Sequence, residues 1–72
     1  MPVTMFSVES STILSIGYSE TEQELHILFV GSHEYVYRDV PPDLWTQFRE
    51  ASSIGKFFAS RVKKSFSSER LS

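Results

Sequence analysis

Cysteine is absent from this 72-residue chain. That excludes disulfides and thiolate chemistry and makes a reducing compartment the expected home. Nor is there a run of about 18 apolar residues, the length a membrane span needs. Residues 1–6 lack both a charged start and a long apolar stretch, so no secretory signal is expected and the default location is cytoplasmic. The sequence has no Gly-x-Ser-x-Gly elbow, no Gly-rich phosphate loop, no repeat and no low-complexity segment. Its only histidines, His26 and His33, have Glu24 and Glu34 nearby but match no metal-ligand spacing. A non-enzymatic protein without metal or cofactor is therefore expected.

What the chain does have is aromatic residues: six Phe, three Tyr and one Trp. Seventy-two residues make one domain near the lower limit for a core without staples, and large rings supply the buried area. The net charge of −2 conceals a polarity. Residues 1–42 carry six acids against Arg38 alone, a balance of −5, whereas residues 43–72 carry six bases against three acids, a balance of +3. A basic side of this kind can face phosphates although the whole is acidic; an ordinary solvated surface is the plainer alternative.

Hydrophobic periodicity divides the chain. Over residues 12–18, Leu14, Ile16 and Tyr18 alternate with Ile13, Ser15 and Gly17, a strand pattern. Residues 24–30 form the clearest strand, with Leu25, Ile27 and Phe29 on one face and His26, Leu28 and Val30 on the other. Gly31-Ser32 supplies turn chemistry, and residues 33–39 return as a third strand.

The register of this hairpin decides where the tyrosines point. A two-residue loop pairs Phe29 with Glu34 and turns Tyr35 and Tyr37 away from Ile27. A three-residue loop with a bulge pairs Phe29 with Tyr35 and puts both tyrosines on the Leu25/Ile27/Phe29 face. The second is preferred, because that face must also receive the helices.

Val40-Pro41-Pro42 ends the strand and suits the first turn of a helix over 42–51, with Leu44, Trp45, Phe48 and Ala51 at helical spacing. Ser52 and Ser53 can cap a second helix over 54–65, whose stripe is Ile54, Phe58, Val62 and Phe66, with Phe57 at its edge. Gly55 would allow close approach to the preceding helix.

These segments, in this order, resemble the KTSC domain, a small module found at the C-terminus of some lysyl-tRNA synthetases and as stand-alone bacterial proteins. Tyr35-Val36-Tyr37 is similar to its tyrosine-x-tyrosine motif, and Val40-Pro41 to the valine-proline corner that follows. Ala51-Ser52-Ser53-Ile54-Gly55-Lys56-Phe57-Phe58 is similar to its alanine-x-serine-x-glycine-x-aromatic-phenylalanine segment, so Ala51, Ser53, Gly55, Phe57 and Phe58 are the matching positions. Ser15-Ile16-Gly17-Tyr18 and Leu25-His26-Ile27-Leu28-Phe29 fit the preceding strands. The chain departs from the pattern at Gly31, one position early in its turn, and at Phe66, where tyrosine is usual. The association with a tRNA synthetase suggests RNA as a partner.

The expectation is an α+β domain over residues 10–66, a three-stranded antiparallel meander with two short C-terminal helices on one face. Residues 1–9 and 67–72 would be flexible termini. The expected role is a non-catalytic interaction module that binds RNA, such as tRNA, through a basic helix face of Lys56, Lys63 and Lys64 with Arg61 at its edge. Tyr35 and Tyr37 are read either as a base-stacking platform or, preferably, as core residues under the helices. The alternative is a protein-binding or self-associating module, phage- or prophage-encoded in one version. It would use the other sheet face, with Ile13, Leu28, Val30 and Val36 uncovered.

Overall fold

The structure, a computed structural model, describes residues 3–71. Its elements are β1 (Met5–Ser7), β2 (Ile13–Ser19), β3 (Glu24–Phe29), β4 (His33–Tyr37), α1 (Pro42–Arg49), α2 (Ile54–Phe57) running on into a π-helical turn (Phe58–Val62), and β5 (Ser68–Arg70). The strands form one antiparallel sheet in the order β1-β2-β3-β4-β5. The segment that joins β4 to β5 carries both helices across one sheet face, where Leu25, Ile27, Phe48 and Val62 are fully buried in a single core. Among the described residues, no helix is long and apolar enough to cross a membrane.

The sheet has five strands where three were expected. The outer two lie in segments 1–9 and 67–72, read as flexible from their lack of pattern. Each is three residues long, and β5 is exposed throughout, so neither carries apolar alternation. Backbone pairing holds them instead. At β5, the Leu71 amide donates to the Glu34 carbonyl at 2.7 Å, the Arg38 amide donates to the Ser67 carbonyl at 3.0 Å, and the Arg38 guanidinium reaches Glu69 at 2.6 Å.

The β3–β4 turn has Gly31 at φ 98° and Ser32 at φ 65°. Phe29 pairs with His33, Ile27 with Tyr35 and Leu25 with Tyr37. This is two residues from the preferred register and one from its alternative. Because side chains alternate with period two, the two-residue difference leaves both tyrosines on the helix-facing side. The bulge lies in β2 instead. Ile13 pairs with Phe29 but Ser15 with Leu28, so Leu14 is the extra residue. It sends Leu14 outward, 45% exposed, and turns Ile13 into the core at 0%, the reverse of simple alternation.

The opposite sheet face is not the apolar layer expected. Ile13 has left it, Val36 is buried, and charged groups occupy much of the rest. His26 lies 3.9 Å from Glu24 and 3.8 Å from Glu34, and Arg38 pairs with both Glu24 and Glu69.

Pro41 occupies the N-cap of α1, with Pro42 and Asp43 in its first turn; Leu44, Trp45 and Phe48 point inward. The helix ends at Arg49 rather than residue 51. Ser53 caps α2 by accepting the Lys56 amide at 3.3 Å. A regular second helix over 54–65 is not formed. After four residues it widens into the π turn, closed by the Lys63 amide donating to the Phe58 carbonyl at 2.9 Å. Gly55 faces the Ser10–Thr12 segment, not the preceding helix. A methyl there would meet Ser10 Oγ at 3.4 Å, an ordinary contact, so close packing does not require the glycine.

Candidate nucleic-acid interface

Two adjoining grooves run beside the π turn. The first, about 580 Å³, lies between that turn and the β3–β4–β5 end of the sheet. Its floor is a chain of edge-to-face rings: Tyr35 against Phe29 at 5.6 Å, Phe29 against Phe58 at 5.3 Å, and Phe58 against Tyr37 at 5.6 Å. The pairing Ile27–Tyr35 and Leu25–Tyr37 aims both tyrosines toward the helices, where Tyr37 is buried and Tyr35 half-buried. Partial burial pushes the Tyr37 phenol above 10.0, with a bond to Ser68 opposing the shift and Tyr35 adding to it.

The rim carries Lys63, His33 and Arg70, and among the described residues no carboxylate lines this groove. Arg70 Nη2 lies 2.7 Å from His33 Nδ1. A guanidinium only donates, so Nδ1 accepts, and a neutral imidazole there holds its proton on Nε2.

The second groove, also about 580 Å³, lies where the Ser10–Thr12 segment faces the start of α2. It is rich in hydroxyls, with Lys56 and Lys63 as its cations and Glu9 as the one carboxylate among its described lining residues. Ser10 Oγ accepts from the Thr12 and Ile13 amides, and Ser53 Oγ is committed to its cap. Phe29, Phe58 and Lys63 line both grooves, which therefore meet at these three side chains.

The π turn explains why Lys63 stands there. In an α-helix, a residue five positions on is turned about 140° away. A turn closed by an i→i+5 bond brings residues five apart to the same side, so Lys63 comes round over Phe58.

The basic face expected from Lys56, Lys63 and Lys64, with Arg61 at its edge, is divided. Lys56 and Lys63 share the hydroxyl-lined groove. Lys64 follows in the exposed turn. Arg61 turns toward α1, its guanidinium 5.3 Å from the Phe57 ring and 3.4 Å from Gln47 Oε1. The motif residues divide too. Val40 is buried and its carbonyl accepts the Tyr18 hydroxyl, Pro41 and Ser53 cap helices, Ala51 is half-buried, and Phe57 stacks on Phe48 at 5.4 Å. Tyr35, Tyr37 and Phe58 form the aromatic groove. Sequence reasoning missed His33 and Arg70 as partners, because the strand that brings them together has no apolar signal.

A family model described as the KTSC domain matches residues 9–66. A protein of Tsukamurella paurometabola is 40% identical over 62 residues, covering 86% of this chain and 92% of that protein. A protein of Stutzerimonas stutzeri is 35% identical over 52 residues, 72% of this chain and 73% of its own length. The crystal structure of a KTSC domain protein from Yersinia pestis superposes with a TM-score of 0.94 at 34% identity, over 99% of this chain and 100% of that one. The chain belongs to the KTSC domain family.

Proposed function

We propose that this KTSC domain is a non-catalytic, cytoplasmic module that binds RNA at unpaired nucleotides. The observation that carries the reading is the aromatic groove whose charged rim residues, Lys63 and Arg70, are both cations. Aromatic faces accept any base, and basic side chains hold the phosphates beside it. Lys56 extends the basic edge along the second groove, and Lys64 follows Lys63 in the exposed turn, while Arg61 faces α1 and stands outside the grooves. The occurrence of related domains on lysyl-tRNA synthetases makes tRNA the first RNA to test.

Fluorescence anisotropy with tRNA and with single-stranded RNA, from low to moderate salt, tests this. Log affinity should fall linearly with log salt, by about 0.7 per phosphate contact on a single strand. Replacing Lys56, Lys63 and Lys64 with Gln should flatten that slope without unfolding the domain, since all three are exposed. Absence of binding at low salt would remove the RNA reading. A protein partner or a second copy would then lead, for which Leu14 and Val30, 45% and 53% exposed, offer apolar contacts, as do the exposed Phe6 and Leu71.

A further inference from the structure

We propose that the two grooves take consecutive nucleotides of one unpaired RNA strand. A base enters the aromatic groove, Lys63 holds the adjoining phosphate, and the next ribose lies along the hydroxyl-lined groove toward Lys56. The inference rests on the RNA reading and adds the size and sugar preference of the ligand.

Each groove, at about 580 Å³, falls within the roughly 300–1,000 Å³ that small ligands fill. The rings sit on a groove floor rather than on an exposed flat sheet, so they can reach a base splayed from its neighbours and not one stacked within a duplex. Lys63 belongs to both grooves, which puts its charge at their junction, where the linking phosphate would pass. Glu9 strengthens that assignment. Its carboxylate disfavours phosphate beside it, leaving phosphates to the lysines, and accepts a hydrogen bond from a sugar hydroxyl.

The sugar preference follows from the hydroxyls left over. Ser10 and Ser53 are committed to backbone amides, whereas Ser11 and Ser52 are exposed in the same groove with no hydrogen bond from their side chains among the described residues. A ribose 2′-hydroxyl both donates and accepts and can pair with such groups; deoxyribose cannot.

Amide-resolved NMR titration of the whole chain with uridylates of one, two and four nucleotides, and their deoxy counterparts, tests the proposal. Affinity should rise about tenfold from one nucleotide to two, and less from two to four. Ribose should be favoured over deoxyribose, with shifts at Phe58, Lys63 and Ser52. Lys63→Gln should cost about tenfold for the dinucleotide, and the Ser11→Ala/Ser52→Ala double variant should bring ribose down to the deoxyribose level. Salt-dependent binding of the tetranucleotide with neither the first step nor a sugar preference would overturn this inference and leave the RNA reading standing. No binding of any RNA, tRNA included, would overturn both.

Discussion

Tyr18 stacks on Trp45, their ring centroids 5.6 Å apart and their planes within 12°, which joins the sheet to α1. The Tyr18 hydroxyl donates to the Val40 carbonyl just before that helix begins. Phe6 of β1 approaches the same indole at 6.5 Å, and the Arg49 guanidinium lies 5.8 Å from its centroid. Trp45 thus ties β1, β2 and α1 together. Trp45→Ala should cost about 3–5 kcal/mol, a large part of what a small domain has. Denaturant unfolding followed by circular dichroism checks it; a variant that melts within a few degrees of the parent would contradict this packing.

Tyr18 also makes stability depend on alkaline pH. Partial burial, and secondarily the charge of Glu20, raises its phenol above 10.0 in the folded state. Burial acts the same way on Tyr37. The folded protein therefore binds these protons more tightly than the unfolded chain does. Their contribution is intact below pH 10 and is lost as pH rises through the folded values. Tyr18→Phe should lose about 1 kcal/mol at neutral pH, from the missing bond to Val40, and should show a shallower alkaline decline. Melting temperatures across that range, with tyrosinate absorbance followed in parallel, give both quantities.

Gly17 of β2 pairs with Met5 of β1. A methyl there would stand 2.6 Å from the Thr4 carbonyl oxygen, 2.7 Å from Met5 Sδ and 2.8 Å from Val3 Cγ1. The backbone oxygen cannot yield as a flexible side chain would. Gly17→Ala should therefore push β1 off the sheet at a cost of about 1–3 kcal/mol. Amides of β1 should lose exchange protection while those of β3 keep it; unchanged protection in β1 would refute the close approach.

Deleting residues 67–72 removes β5. The ion pair between Arg38 and Glu69 is exposed and adds little, but the backbone bonds to Arg38 and Glu34 go with it. A loss of about 1–3 kcal/mol is expected, together with faster amide exchange across Tyr35–Tyr37. The RNA binding proposed above should weaken as well, because Arg70 leaves the rim of the aromatic groove. A truncated chain as stable as the parent would mean that β5 only rests against the sheet.

Three strands, the proline-led first helix and the serine cap of the second were legible in the sequence because each leaves a local mark. Leu25, Ile27 and Phe29 alternate, Pro41-Pro42 ends a strand and suits a helix's first turn, and Ser53 precedes a run of apolar residues at helical spacing. Two-residue spacing puts Tyr35 and Tyr37 on one face in any register; which face that is depends on a register the sequence left open between two opposite answers.

Four features were decided only in three dimensions. The pairing of Phe29 with His33 depends on how tightly the Val30-Gly31-Ser32 turn closes. The exchange of Ile13 for Leu14 depends on a bulge that the alternation cannot announce, because both residues are aliphatic. The outer strands are held by backbone bonds, which carry no side-chain pattern. Finally, Lys63 and Arg61 lie two positions apart on what the sequence reads as one basic helix. Two positions on a helix point about 200° apart in any case, so Arg61 along Phe57 beside α1 needs no special turn. What the π turn changes is Lys63, which it brings over Phe58 where the two grooves meet.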